Sequence, residues 1–327
     1  MRLSKIKLRS LSNVASQNGV KHRYGTRCYS AQPYGAMLLV TVLLPNFVYS
    51  QDLEPRSYTN IPIDMNFLAT GYLHSEGEVS PSPGVLLEDA QLNINTAAIA
   101  YVRSFELAGS SAKVDLAVAR SCFEGSAISN GERIEADNCG YNDPTFKLTW
   151  NFFGAPAMKA TEFSTWRQGV VVGTSLEVTA PIGSYNVDKL LNASANRWVL
   201  RPGIGMSQKF GDWYYNLIAS VRLYGDNDEY QGKGALAQEP QYTLQAHLIY
   251  IIDPGHWISL NSNYFFGGET IKNGVNSNDK QDNSRFGLTY SIALNHSHSI
   301  KLNYSTGVLT RFGNDFDSLG AFWMYRF

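Results

Sequence analysis

Charge is scarce in this chain. Asp, Glu, Lys and Arg supply 17 % of its 327 residues, where a soluble globular domain carries about 25 %. Long apolar runs are also missing. No stretch reaches the roughly 18 to 20 residues that a membrane-spanning helix needs, which excludes a helical membrane protein. The formal net charge of −1 leaves no basic surplus of the kind that a nucleic-acid partner requires. Disorder is excluded by aromatic and β-branched residues spread along the whole length.

Acidic residues are absent from the first 50 positions, which hold Arg2, Lys5, Lys7, Arg9, Lys21, Arg23 and Arg27. The remaining 277 residues carry 20 basic and 28 acidic side chains. The basic stretch leads into the apolar run Ala36–Leu44, then Pro45 and Val48-Tyr49-Ser50. A basic region, an apolar region and a small-residue site form a secretory signal. The expectation is a cleaved signal peptide over 1–50 and a single exported domain over 51–327. An organellar transit peptide is the competing reading.

Cysteine is rare as well. Cys28 leaves with the signal, so Cys122 and Cys139 remain as a pair flanking a polar segment. In an oxidising compartment that pair is expected to form a disulfide. No His and no C-x-x-C spacing accompanies it, so no metal site is expected there.

What the chain does have is a period-two rhythm. Phe286, Leu288, Tyr290, Ile292 and Leu294 alternate with small or polar residues. So do Ile300, Leu302, Tyr304, Thr306 and Val308, then Leu319, Ala321, Trp323, Tyr325 and Phe327. Such alternation marks strands with one apolar and one polar face. The same pattern predicts strands at 61–73, 92–105, 112–123, 145–153, 169–180, 197–210, 213–224, 240–252 and 257–267. The total is twelve. In 92–105 the run Ala97-Ala98-Ile99-Ala100 leaves the outward phase open. Tight turns at Gly211-Asp212, Asp253-Pro254-Gly255 and Asn295–His298 alternate with long polar connections at 74–91, 124–140, 184–196, 225–239 and 268–283.

An even number of strands with short turns at one end and long loops at the other describes an all-β transmembrane antiparallel barrel. Its turns would be periplasmic, its loops extracellular, and its place the outer membrane of a Gram-negative bacterium. Closure removes the unpaired sheet edges that lipid cannot solvate. Aromatics at strand ends (Trp198, Trp213, Tyr250, Trp257, Tyr290, Trp323, Tyr325) suit interfacial girdles. The terminal Trp323, Tyr325 and Phe327, at every second position, match the ending that the barrel-assembly machinery recognises. A soluble β-sandwich or lipocalin-like barrel would point its apolar residues inward; the opposite faces carry too many ionisable and amide groups for a dry core, and a polar lumen accepts them readily.

The polar faces supply the candidate lumen residues: Asp115, Lys147, Glu177, Arg197, Arg201, Arg222, His247, Arg285 and Lys301. Asp64, Asn66, Lys113, Gln245, Tyr214, Tyr224, Asn216, Asn261 and Asn263 are expected to join them. Mixed charges in a lumen narrower than that of the large porins would pair and leave a slim path. For each of these residues a structural network competes with solute contact. No cofactor or metal motif is present, and the partners expected are lipid, the assembly machinery and a small solute. Two rival classes remain: a non-transporting surface barrel, and an outer-membrane lipid hydrolase using His296-Ser297-His298-Ser299. That cluster falls in a predicted periplasmic turn, the wrong end for attacking surface lipid.

Several segments also resemble a known family. They are Pro181-Ile182-Gly183-Ser184-Tyr185, Lys189-Leu190-Leu191-Asn192, Asn196-Arg197-Trp198 and Pro202-Gly203-Ile204-Gly205, with Asp52–Tyr58, Gln281, Asn283, Arg285 and Gly313-Asn314-Asp315-Phe316. Together they resemble the outer-membrane transporters of the phenol meta-cleavage degradation pathway over nearly all of 52–327. The resemblance implies an outer-membrane barrel carrying small, including aromatic, solutes and no catalytic residues. The cysteine-flanked segment 122–139 lies outside that family pattern.

Overall fold

A computed structural model describes residues 54–327 apart from Gly84, Ser164 and Lys233. The expected signal segment lies outside the described residues.

Twelve antiparallel strands close into a barrel. In ring order they are β1 (Asn66–Ser80), β2 (Glu88–Leu107), β3 (Ser110–Ser129), β5 (Thr145–Phe153), β6 (Val170–Thr179), β7 (Val199–Phe210), β8 (Trp213–Tyr224), β11 (Gln241–Asp253), β12 (His256–Gly267), β15 (Gln281–Ala293), β16 (His298–Leu309) and β17 (Gly313–Arg326). β17 closes the ring on β1, with Phe67 opposite Arg326 and Ser80 opposite Gly313. β4 (Glu132–Tyr141) pairs with the upper half of β3 and leads into β5. A second, four-stranded sheet of β9 (Asn227–Tyr230), β10 (Gly234–Gln238), β13 (Thr270–Lys272) and β14 (Val275–Asn276) forms from two extracellular loops.

The alternation decides which way each side chain points. Leu116, Val118, Leu176, Ile204, Leu217, Leu244, Leu260, Leu288 and Leu302 face outward, each 45–54 % or 55 % exposed. So broad an apolar exterior would aggregate in water and is suited to hydrocarbon. The ambiguous run in β2 resolves with Ile99 outward at 54 % and Ala98 and Ala100 half-buried on the inner side. An upper aromatic belt includes Trp198, Tyr242 and Tyr264. A lower one includes Trp213, Tyr250, Trp323, Tyr325 and Phe327, with the Trp213 and Tyr250 ring centroids 4.8 Å apart. A closed barrel with this exterior is an outer-membrane barrel of a Gram-negative bacterium.

Several expectations need correction. Trp257 points inward, in phase with Ser259 and Asn261, and packs on Tyr214 and Ile249. Asp64 precedes β1 and is exposed, and Asn66 faces outward, accepting a 2.7 Å hydrogen bond from Tyr101. Most of the supposed loop 74–91 belongs to strands. So does 124–140, where β3 and β4 form a hairpin around Asn130-Gly131, whose φ values of 51° and 80° suit a two-residue primed turn. Gly313-Asn314-Asp315 begins β17 instead of a loop. One periplasmic connection, 154–169, is long and holds the short helix α1 (Ala160–Phe163). Cys122 and Cys139 sit opposite one another across β3 and β4 and are joined by the expected disulfide.

The largest apolar cluster is not under the membrane band. Leu92, Ile94, Phe123 and Phe316, from the upper inner faces of three strands, pack with Leu191 and Ala193 of the folded-in β6–β7 loop. They close the extracellular end on that side.

Candidate functional site

Four of the candidate lumen groups lie side by side. Asp115 is opposite Lys147, Lys147 opposite Glu177, and Glu177 opposite Arg201 in the register of β3, β5, β6 and β7. The signs alternate along this row, so each charge has a counter-charge on the next strand. Arg201 Nη1 lies 3.6 Å from Glu177 Oε1, and Lys147 Nζ 4.0 Å from Glu177 Oε2. Lys113 pairs with Asp115 at 3.7 Å. Past Arg201 the inner wall continues with Arg222, which donates from Nη1 to Gln241 Oε1 at 3.3 Å.

An N-terminal segment, 54–63, runs down the inside of this wall. Lys147 Nζ donates to Glu54 Oε2 at 2.5 Å. Burial alone would raise the Glu54 carboxyl, but the Lys147 ammonium and the Arg201 guanidinium outweigh it and hold Glu54 well below the usual carboxylate range. Arg56 lies over the rings of Tyr214 and Trp257, at 5.4 and 5.6 Å. Its φ of 70° is a left-handed conformation held by these contacts. Tyr58, 2 % exposed, shares a 2.7 Å hydrogen bond with Ser175. Below it, Asn60 N donates to Gln168 Oε1 at 3.3 Å, and Ile63 N to Met158 O at 2.9 Å. The long periplasmic connection therefore grips the base of the segment.

The segment needs room that only glycine leaves. Gly173 and Gly205 are opposite each other in the register. A Cβ on Gly205 would lie 2.2 Å from a Tyr58 ring carbon, and one on Gly173 2.7 Å from another.

A second feature sits at the extracellular mouth. The β6–β7 loop, 180–198, folds inward and is held by Asp143, 3 % exposed in the break between β4 and β5. Asp143 accepts from Gly183 N at 2.9 Å, Ser194 Oγ at 2.7 Å and Ala195 N at 2.8 Å. Asn196 turns toward Asn227 and Glu229, each at 3.2 Å. Arg197 instead enters the mouth, 2 % exposed, with its guanidinium 4.5 Å from the Tyr224 ring centroid. Arg197, Arg222 and Arg285 line one cavity of about 70 Å³ there.

The remaining candidates stand apart. His247 is buried in an amide network, with Nδ1 2.8 Å from Asn261 Oδ1 and Nε2 3.3 Å from Gln245 Oε1. Lys301 is on the far wall, 5.8 Å from the centroid of the Phe322 ring. His296 and Ser297 fall in the β15–β16 turn, and His298 stacks on Trp323 and Tyr325. Among the described residues no cluster of three metal-ligating side chains occurs.

Sequence reasoning missed the inner segment, Asp143 and the Gly173–Gly205 slot. A signal existed for the last: isolated glycine within a strand marks a close approach of another group.

The chain is similar to known proteins at the level of family and of fold. The family model described as "Putative MetA-pathway of phenol degradation" matches residues 76–323. The COG4313 outer membrane channel from Pseudomonas putida F1 is 19 % identical, with a TM-score of 0.70 over 84 % of this chain and 100 % of that one. The transport unit of the autotransporter AIDA-I from Escherichia coli is 9 % identical, with a TM-score of 0.49 over 86 % and 94 % of the chains. The β domain of the Bordetella autotransporter BrkA is 12 % identical, with a TM-score of 0.47 over 80 % and 99 %. No curated protein sequence matches. The first of these structures carries the likeness in fold.

Proposed function

The chain belongs to this phenol-degradation family, and from that premise we propose that it is an outer-membrane channel for small solutes, phenolic and other aromatic compounds among them. The observation that supports this reading is the lumen itself. Its wall carries buried charges and amides that a dry core would not accept, and a cavity opens at the mouth above them. The similar Pseudomonas protein is named a channel. Residues 1–50 serve in this proposal as the export signal. Trp323, Tyr325 and Phe327 are read by the assembly machinery.

Solute would pass between the charge row and the far wall of Lys301 and Phe322. The 54–63 segment narrows that path, because Glu54, Tyr58 and Asn60 each bond to the wall or the base.

The same segment favours a second reading, a barrel that does not transport. The test is planar-bilayer conductance of refolded 51–327, with and without phenol. Discrete steps that phenol reduces support the channel and its solute class. Steps indifferent to phenol leave a general small-solute channel. Silence from protein shown to be a folded barrel favours the non-transporting reading.

A further inference from the structure

We propose that the cavity at the extracellular mouth is a binding site for a single-ring aromatic carboxylate, a step that rests on the channel reading and narrows its solute class.

The argument begins with charge. Three guanidiniums, those of Arg197, Arg222 and Arg285, line the cavity, and Glu177 is the one carboxylate in the lining. Glu177 lies within 4.0 Å of Lys147 and 3.6 Å of Arg201, so its charge is already answered below the cavity. The arginines are 2 %, 6 % and 4 % exposed. Asp226 near Arg197, and Asp315 and Asp317 near Arg285, supply part of the counter-charge from outside the lining, and an anion in the cavity would add to it from within.

Hydrogen bonding points the same way. Arg197 Nη2 donates to Gln238 Oε1, while Arg197 Nε and Nη1 meet no acceptor among the described residues. Arg285 Nη2 donates to Ser305 Oγ at 3.3 Å and Phe316 O at 2.5 Å, leaving its Nε in the same condition. Buried donors ordinarily find partners. A planar carboxylate suits guanidinium donors better than a compact point charge would.

The rest of the lining selects a ring. Tyr224 and the buried Phe265 supply apolar faces beside the arginines. Space of about 70 Å³ holds roughly five waters. At about 30 Å³ of liquid per water, that equals the bulk of a one-ring acid. A two-ring acid would not fit without moving the loops. Neutral phenol would meet the ring surfaces and offer less to the orphan donors of Arg197 and Arg285, so an anion should bind more tightly.

Titration calorimetry of the detergent-solubilised barrel with sodium benzoate tests this, with benzyl alcohol as the neutral probe of similar shape. Benzoate should bind and benzyl alcohol should not compete with it. Arg285→Gln and Arg197→Gln should each weaken benzoate about tenfold or more, the loss expected for a charged hydrogen bond. Arg197→Lys, which keeps the charge and the fold, should lose part of the affinity. Lys159→Gln, on the periplasmic connection, should lose none. Absent benzoate binding to folded wild-type protein, or binding indifferent to both Gln variants, overturns the proposal. Because binding is read without conductance, the two readings fail separately. A silent barrel that binds benzoate keeps the site and loses the channel. A conducting barrel that ignores benzoate keeps the channel and loses the site.

Discussion

Gly205 stands directly opposite Gly173 across the β6–β7 pair, and the ring of Tyr58 rests on both. The hydroxyl of that ring reaches Ser175, two residues along β6 on the same face. A segment with no secondary structure of its own is thereby keyed to one place on the wall.

Gly205→Val should expel the Tyr58 ring, since the first added carbon already lies 2.2 Å from it. Tyr58→Ala should undock the segment by a gentler route, at a cost of about 3–5 kcal/mol of local stability. Both variants should assemble normally and conduct more current per channel than wild type. Unchanged conductance in both would mean that the segment does not limit the path.

Docking should depend on acid in one direction. The Glu54 carboxyl is held below its ordinary 4.5. Its contribution is therefore complete above that value and is lost as pH falls through the depressed one. Conductance should stay flat from about pH 8 to about pH 5 and rise only in stronger acid. Glu54→Gln should conduct at neutral pH as the undocked form does, with the acid response gone.

Asp143→Ala should release the folded-in loop. The change removes three hydrogen bonds to one carboxylate, a loss of about 3 kcal/mol. Proteolysis of intact barrels should then cleave within 184–196 while the barrel keeps its heat-modifiable migration. An uncut loop would show that the apolar packing of Leu191 and Ala193 suffices.

Outward and inward neighbours on β11 should respond in opposite ways to charge. Leu244 is 51 % exposed and Gln245 4 %. Leu244→Arg should cost about 2–4 kcal/mol in a lipid-reconstituted unfolding titration. Gln245→Glu, facing the lumen, should cost less and alter ion selectivity instead.

Reduction of Cys122–Cys139 should loosen the hairpin and spare the barrel. The bridge spans a separation of 17 residues, and closing such a loop contributes about 3 kcal/mol. Cys122→Ser with Cys139→Ser should speed cleavage near Asn130 and leave the barrel's thermal transition in place.

Strand number, the facing of most strands and most of the lipid belt were legible in the sequence by itself. They depend on an alternation that repeats within ten residues, so Phe286, Leu288 and Tyr290 declare their face without reference to any distant group. The Asn130-Gly131 pair is a turn signal in the sequence too, but the polar residues around it mask a hairpin that leaves the membrane. Alternation places the charged candidates on the polar faces of their strands but does not give their order along the wall. That Asp115, Lys147, Glu177 and Arg201 alternate in sign along one row follows from strand register, which the sequence leaves open wherever a loop between strands is long. Only the tertiary structure decided that residues 54–63 enter the barrel. Tyr58 meets Ser175 across 117 residues, and Arg56 meets Trp257 across still more chain. Trp257 faces inward because it shares the phase of Ser259 and Asn261, and inside the closed barrel its ring meets the Arg56 cation. Local periodicity specifies a wall, and what the wall encloses is settled when closure brings remote segments into one confined space.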